Sequence, residues 1–397
     1  MAEDIEEFER RAEAFDGAFY AGDWDKAIEL GEALRTEFPD SFAESEMDAK
    51  CLASAYVNRG ASYHYSKQYE RAITDYDKAI EIKSDLVEAF NNRGNSYNGL
   101  GQYDRAIEDY DEAIEINSEY AEAYYNRGNS YHDLKQYERA IADYDKAIAL
   151  KPDYAEAYYN RGVYYVELGQ YERAIADFDK AIEIKSNYYS AYYNRGNSFH
   201  NLKQYERAIE DFNKAIELKP DKEALASVYI NRGASYDNLK RYERAIEDYD
   251  KAIEIKSDYA WAYINRGSSY AKLGQYERAI ENYNEAIELK PDKEVLASAY
   301  NNRGASYLVL EQYERAIENY NKAIELESDK EVLSNAHNNR GNSYDELKQY
   351  EQAIADYNKA IEINPENVAA YHNRALTIGR QEAEKASQTI KESYDER

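Results

Sequence analysis

The 397-residue chain has few of the features that mark secreted, membrane-spanning or catalytic proteins. Its single cysteine, Cys51, excludes an internal disulfide, and in an alanine-rich stretch it is expected to pack as a small apolar side chain. No stretch approaches the ~18 apolar residues of a membrane-spanning helix. The N-terminus, MAEDIEEFERR, also lacks the basic and apolar regions of a secretory signal. We therefore expect a soluble, cytoplasmic protein.

Basic residues are also in short supply, with 50 Lys and Arg against 78 Asp and Glu and a formal net charge of -28. A field of this sign repels phosphate backbones and anionic lipid surfaces, which argues against nucleic-acid and membrane partners. The sequence contains no glycine-rich phosphate loop, nucleophile motif or cysteine-histidine cluster. His64, His132 and His200 recur every 68 residues, too far apart for one metal site. We predict no enzyme activity, no cofactor and no metal.

What the chain does contain is a 34-residue unit, clearest at 121–154, that recurs with an Asn-Arg-Gly signature. The signature asparagines are spaced by 34 residues, or by 37 where an insertion of the form DKEALAS or DKEVLAS occurs. Three residues are nearly one helical turn, so the insertion is expected to lengthen a helix start while keeping its inner face. The asparagines of the nine full units are Asn58, Asn92, Asn126, Asn160, Asn194, Asn231, Asn265, Asn302 and Asn339.

Each unit contains two apolar stripes with helical spacing, separated by a short turn. The sequence therefore predicts antiparallel helix pairs. Asp85 with Glu88, and Asp153 with Glu156, have the spacing of capping boxes that would open the first helix of a unit.

This pattern resembles the tetratricopeptide repeat, a helix-turn-helix of 34 residues. The resemblance implies an all-α, right-handed superhelical solenoid. We assign residues 1–52 to a degenerate N-terminal cap with a long connection and 368–397 to a partial tenth unit with a capping helix. The nine units of 53–367 start at residues 53, 87, 121, 155, 189, 226, 260, 297 and 334.

One departure from the resembled pattern is the arginine that precedes the signature glycine in every unit, where the family usually has leucine. A charge on an inward stripe needs a partner. Each second helix repeats an Asp or Asn, such as Asp143, so we predict that the arginine head bonds this side chain or nearby carbonyl groups.

The resemblance also places the first helices on the concave surface of the solenoid, where the signature asparagines would form a ladder that holds an extended peptide. An amide offers both a donor and an acceptor to each peptide group. The alternative is that these asparagines only cap or bridge adjacent first helices. Tyr125, Tyr159 and Tyr193 directly precede ladder asparagines and are expected to form a row of binding aromatics, or else to fill gaps between helices.

Glu88, Glu122 and Glu156 recur four residues before ladder asparagines, which makes the predicted groove acidic. The sequence thus predicts a protein-interaction scaffold that binds an extended, neutral to basic peptide, with its best site in the third to fifth units. The alternatives are a self-assembling structural solenoid and a regulatory module of a partner enzyme. The sequence does not determine the oligomeric state, although it favours a monomer.

Overall fold

A computed structural model describes residues 2–326 and 329–395. Residue 1 and residues 396–397, which end the two predicted terminal segments, lie outside the described residues. Every regular element in the described part is an α-helix. The N-terminal helices are α1 (Ala2–Tyr20), α2 (Trp24–Glu37) and the short α3 (Pro39–Glu44), and the C-terminal helix is α22 (Val368–Asp395).

Between these ends, first and second helices alternate as antiparallel pairs, because apolar stripes at helical spacing must pack on one another. The first helices are α4 (Glu46–Tyr65), α6 (Val87–Gly99), α8 (Ala121–Asp133), α10 (Ala155–Glu167), α12 (Tyr189–Asn201), α14 (Lys222–Asn238), α16 (Ala260–Lys272), α18 (Lys293–Val309) and α20 (Lys330–Glu346). The second helices are α5 (Tyr69–Ile82), α7 (Tyr103–Ile116), α9 (Tyr137–Leu150), α11 (Tyr171–Ile184), α13 (Tyr205–Glu217), α15 (Tyr242–Ile255), α17 (Tyr276–Glu288), α19 (Tyr313–Glu325) and α21 (Tyr350–Ile363).

The chain divides into two compact units, residues 1–191 and residues 192–397. Within each of them, second helices also pack on the first helices that follow, as α7 does on α8 and α15 on α16, so the helix pairs stack. The predicted all-α fold of stacked antiparallel helix pairs is confirmed. The first helix of residues 53–86, α4, begins at Glu46, seven residues before that unit.

The close packing inside a pair depends on one glycine and two alanines. At Gly128, an added Cβ would lie 2.9 Å from Cε1 of Tyr144, which is fully buried. Ala140 and Ala147, on the same second helix, have no exposed surface. Small residues at these positions let a tyrosine ring lie flat between the two helices.

The recurring arginine has the partners that the sequence predicts. In α8, Arg127 donates from Nε and Nη2 to the two carboxylate oxygens of Asp143 in α9, at 2.8 and 2.7 Å, and from Nη1 to Asp111 of the preceding pair. Arg127 therefore joins three helices. The equivalent pairs are Arg59–Asp75, Arg93–Asp109, Arg161–Asp177, Arg195–Asp211, Arg232–Asp248 and Arg340–Asp356, with Arg266–Asn282 and Arg303–Asn319 as amide versions.

The helix starts differ from the prediction. The two predicted capping boxes do not form: α6 and α10 have Leu86 and Tyr154 at the N-cap, without a side-chain cap. At α10 the reason is packing, since the Tyr154 ring contacts Tyr125 at a centroid distance of 4.8 Å and so holds the N-cap position itself. The inserted helices α14, α18 and α20 are each 17 residues long, as the insertion predicts, and are capped by Asp221, Asp292 and Asp329.

Candidate functional site

The first helices present a face on which the nine ladder asparagines lie, all of them half-buried. Each lies one residue before the recurring arginine and therefore about 100° around the helix from it. This first-helix face is the candidate site in each of the two units.

Several ladder asparagines bridge adjacent first helices. Asn160 donates from Nδ2 to the Tyr125 hydroxyl at 3.0 Å and to Asn129 Oδ1 at 2.9 Å, and Asn126 donates to Asn91 Oδ1 at 2.9 Å. Part of each amide's hydrogen-bonding capacity is therefore already used within the fold. The same bridges occur at Asn231, which donates to Tyr193 and Asn197, at Asn339, which donates to Asn301, and at Asn373, which donates to Asn338 and Asn342.

The three predicted tyrosines are half-buried and make internal contacts. Tyr125 and Tyr159 each pack on the tyrosine that precedes the next first helix, Tyr154 at 4.8 Å and Tyr188 at 4.9 Å between ring centroids. The Tyr193 ring lies 6.2 Å from Phe212. Each of the three rings therefore packs on another aromatic ring and keeps part of its surface exposed.

Two of the three predicted glutamates form ion pairs. Glu122 lies 3.0 Å from Lys151 Nζ and Glu156 lies 3.2 Å from Lys185 Nζ, while Glu88 is exposed. The paired lysines reduce the negative charge of this part of the face. Its acidity is therefore weaker than the glutamates alone suggest.

The positions three and six residues after the ladder asparagines also line the face, although no sequence motif marks them. Within residues 1–191 they contribute to a recess of about 360 Å³, the amide recess, whose walls come from helices α4 to α8. Gly99 admits the Tyr69 ring there, since a Cβ would lie 2.7 Å from it. The amide recess is lined by His64, Tyr69, Asn95, Asn98, Gly99, Tyr110, Asn126 and Asn129.

Internal hydrogen bonds orient the amides of this recess. Asn95 and Asn129 each accept through Oδ1, from the hydroxyls of Tyr110 at 2.8 Å and Tyr144 at 2.6 Å. Asn98 instead donates from Nδ2 to a serine hydroxyl at 2.8 Å. Asn95 and Asn129 thus retain their amide N–H donors. Asn98 and Asn126 retain their acceptor oxygens. The only sequence signal for these positions was their variation from unit to unit.

The histidines also join adjacent first helices. Nδ1 of His64 lies 2.9 Å from the Ser96 hydroxyl, and Nδ1 of His200 lies 2.8 Å from the Ser235 hydroxyl. Burial lowers the pKa of both histidines. At His132, the equivalent position of the next first helix holds Tyr164 instead of serine. The centroids of the His132 and Tyr164 rings lie 5.0 Å apart. Within residues 2–326 and 329–395, no three His, Cys, Asp or Glu side chains form a group that could hold a metal.

Comparison with protein families settles the assignment of the chain. The family model described as "TPR repeat" matches residues 60–101, 94–135 and 128–167, and the model described as "Tetratricopeptide repeat" matches 155–188, 189–222, 226–259, 260–293, 297–330 and 334–367. The chain belongs to the tetratricopeptide repeat family. The family match supports a tetratricopeptide protein-interaction scaffold, and such repeats are typically non-catalytic.

Solved tetratricopeptide structures resemble the chain. One is the Cut9-Hcn1 hetero-tetramer of the APC/C, with 15% identity, a TM-score of 0.50 and coverage of 91% of this chain and 95% of that one, and it supports the fold alone. YrrB, described as a TPR protein with an unusual peptide-binding site, has 29% identity, a TM-score of 0.43 and coverage of 47% and 95%. MamA has 29% identity, a TM-score of 0.38 and coverage of 42% and 91%.

A comparison of the tetratricopeptide chain with curated proteins found no match. None of the helices in the described residues combines the length and the apolar character that crossing a bilayer requires.

Proposed function

We propose that the chain binds an extended peptide segment of a protein partner along its first-helix face. The observation that carries this proposal is the amide recess. Its internal hydrogen bonds leave donor groups on Asn95 and Asn129 and acceptor oxygens on Asn98 and Asn126. A peptide backbone offers the complementary alternation of C=O and N–H groups.

Apart from His64, which can titrate, the residues that line this recess carry no ionised group. This lining fits an uncharged peptide backbone better than a charged ligand. Each amide-to-peptide hydrogen bond contributes ~0.5 to 1.5 kcal/mol net. Four such bonds only offset an association cost of at least ~4 kcal/mol, so side-chain anchors are also needed. We propose that Tyr125, Tyr159 and Tyr193 border the same peptide, because each directly precedes a ladder asparagine and is only half-buried.

The charge of the chain supports a neutral to basic partner, since its net charge is -28. Glu88 is the exposed member of the three predicted glutamates and contributes most directly. Glu122 and Glu156 act through ion pairs with lysines, which a basic peptide residue would have to displace. Salt should therefore weaken binding only modestly at this part of the face.

A peptide selection tests the proposal. A library of short random peptides is selected against the full chain, and the bound peptides are resynthesised and titrated by fluorescence polarisation. Replacing both Asn95 and Asn129 by alanine should weaken binding by roughly 5- to 100-fold, because two hydrogen bonds are lost. Alanine occurs at this position in other units as Ala61, Ala234 and Ala305, so the double variant should fold.

The matched control is Asn342→Ala, which changes the same position of a unit in residues 192–397. It should leave the affinity of peptides bound at the amide recess unchanged. N-methylation of single peptide groups should also weaken binding, since it removes N–H donors. Selected peptides that bind the double variant as tightly as the unchanged chain would show that the amide recess is not the site.

A further inference from the structure

The last helix, α22, begins like a first helix but leaves one of its faces uncovered. Within the described residues it packs on α20 and α21, and no second helix of its own lies against it. In the nine complete units, the signature glycine of the first helix lies against an aromatic ring of the second helix of the same pair. The face of α22 that corresponds to this contact, which we call the end face, consists of Val368, Tyr371, Arg374, Ala375 and Ile378.

The apolar side chains of the end face are much more exposed than their counterparts in complete units. Val368 is 77% exposed, whereas Ala260 at the same position is 7% exposed. Ile378 is 38% exposed, whereas Tyr270 at the same position is 7% exposed, and Tyr371 is 42% exposed. Covering this apolar stripe with another helix is favourable, as it is in every complete unit.

Arg374 is the charged group of the end face, and it is placed as the arginines of complete units are. Its Nη1 donates to Asn358 Oδ1 of the preceding second helix at 2.6 Å. Its guanidinium carbon lies 5.6 Å from the centroid of the Tyr371 ring, close to the 5.5 Å between Arg127 and Tyr124. The head group is therefore held in position before any second helix packs on it.

The carboxylate that this arginine binds in other units has no counterpart at the end face. In the preceding pair, Arg340 donates from Nε and Nη2 to the two oxygens of Asp356 in α21, at 2.7 and 2.6 Å. Within residues 2–326 and 329–395, Arg374 has only the bond from Nη1, and no carboxylate accepts from its Nε or Nη2. Two parallel N–H donors match one carboxylate, so the end face complements a helix that presents an aspartate.

Ala375 restricts which helix fits. Complete units have glycine at this position, since at Gly341 an added Cβ would lie 2.7 Å from Cε1 of Tyr357. A ring directly after the aspartate would therefore meet the methyl group of Ala375. The end face favours a helix with a smaller apolar residue there, such as leucine. It disfavours the nine second helices of a second copy of this chain, which all have Tyr or Phe after this Asp or Asn.

We propose that the end face binds an amphipathic α-helix of a protein partner, which completes the partial tenth unit. The partner helix presents an aspartate to Nε and Nη2 of Arg374 and a leucine-sized side chain to Ala375. Its apolar stripe covers Val368, Tyr371 and Ile378. These positions differ from those of the first-helix face, so the inference does not depend on peptide binding there.

A synthetic helix tests the inference. The probe is a labelled peptide with the sequence of residues 349–364, which contains α21, carrying Tyr357→Leu. It is titrated against the full chain by fluorescence polarisation, and methyl NMR follows the signals of Val368 and Ile378. We expect saturable binding that shifts both signals. Difference circular dichroism should show a gain of helix on binding, because an isolated helix of this length is marginal in water.

A double-mutant cycle tests the ion pair. Asp356→Ala in the peptide and Arg374→Met in the chain should each weaken binding at least about tenfold, because each breaks the bidentate pair. The two changes together should weaken it little more than either alone. His372→Ala, at an exposed residue of α22 outside the end face, is the control and should leave the affinity unchanged. Circular dichroism checks that each variant stays folded.

A compensating exchange tests the shape. The peptide that keeps Tyr357 should bind at least about fivefold more weakly than the leucine peptide, because its ring meets Ala375. Ala375→Gly should remove this difference, since it restores the glycine of the complete units.

No saturable binding of the leucine peptide, or equal binding of its Asp356→Ala form, would overturn the inference. Methyl shifts that leave Val368 and Ile378 unmoved would also overturn it, and so would a preference for leucine that Ala375→Gly does not change. Sedimentation of the chain alone tests a different occupant. Self-association that Arg374→Met abolishes would assign the end face to a second copy and refute a partner helix.

Discussion

Removing Asp177 is the most direct test of how the helix pairs are held together. Its side chain, 7% exposed, accepts from Arg161 Nε at 2.7 Å and Nη2 at 2.6 Å. Arg161 also bonds Asp145 of the preceding pair, a side chain that is 55% exposed. One arginine therefore has a buried partner and a solvent-exposed partner, which can be removed separately.

The burial of the two partners predicts different costs. Asp177→Ala leaves a buried guanidinium without its bidentate partner, which should cost ~3 to 5 kcal/mol. Asp145→Ala removes an exposed ion pair and should cost ~0 to 1 kcal/mol. Asp177→Asn should cost about 1 kcal/mol. The chain contains this arrangement already: Asn282 accepts from Arg266 Nε at 2.6 Å and keeps one of the two bonds.

Urea unfolding followed by circular dichroism measures the total loss of stability. Stacked repeats can unfold in steps, so hydrogen exchange of α10 and α11 should be measured beside it. The expected order of destabilisation is Asp177→Ala, then Asp177→Asn, then Asp145→Ala. If Asp177→Ala costs no more than Asp145→Ala, the buried pair does not stabilise the helix pair and the reasoning fails.

Three further predictions use the same unfolding assay. Gly128→Ala should destabilise the fold by ~1 to 3 kcal/mol, because the added Cβ meets the buried Tyr144 ring. The control is Gly379→Ala, whose Cβ would have no neighbouring atom within 4 Å beyond its own stretch of helix and which should be neutral or stabilising. Tyr125→Phe should cost about 1 kcal/mol, since the hydroxyl that accepts from Asn160 is lost, and an unchanged stability would contradict that bridge. Burial lowers the pKa of His200, so its neutral form stabilises the fold above its unfolded pKa of about 6.5 and this contribution is lost as pH falls. His200→Asn should therefore flatten the decline in stability between about pH 7 and pH 5, and an unchanged slope would contradict this.

The fold was predictable because its determinants repeat in phase. Arg127 and Asp143 are 16 residues apart, and a pair at this spacing recurs from unit to unit, so the sequence alone identified the two partners. Gly128 and Ala140 repeat in the same way, and only close helix packing requires small residues at both places. A feature shared by every unit must satisfy the same physical requirement each time.

The helix starts were harder to predict because local and tertiary preferences compete there. Asp153 followed by Glu156 has the spacing of a capping box, yet Tyr154 takes the N-cap because its ring packs on Tyr125. Where the insertion lengthens the link, no such ring constrains it, and Asp221 caps α14 through Ala224 N–H at 2.9 Å. Sequence spacing alone does not show which preference prevails.

The candidate site was predictable only in part, because the ladder asparagines are common to all units while the amide recess is not. Asn95 and Asn98 stand where other units have Ala61 and His64, and these differences create the amide recess. Glu311 likewise stands at a turn position that holds glycine or lysine in the other units. Selectivity in a repeated fold has to come from positions that break the repeat, since identical units would bind every register of a peptide equally well.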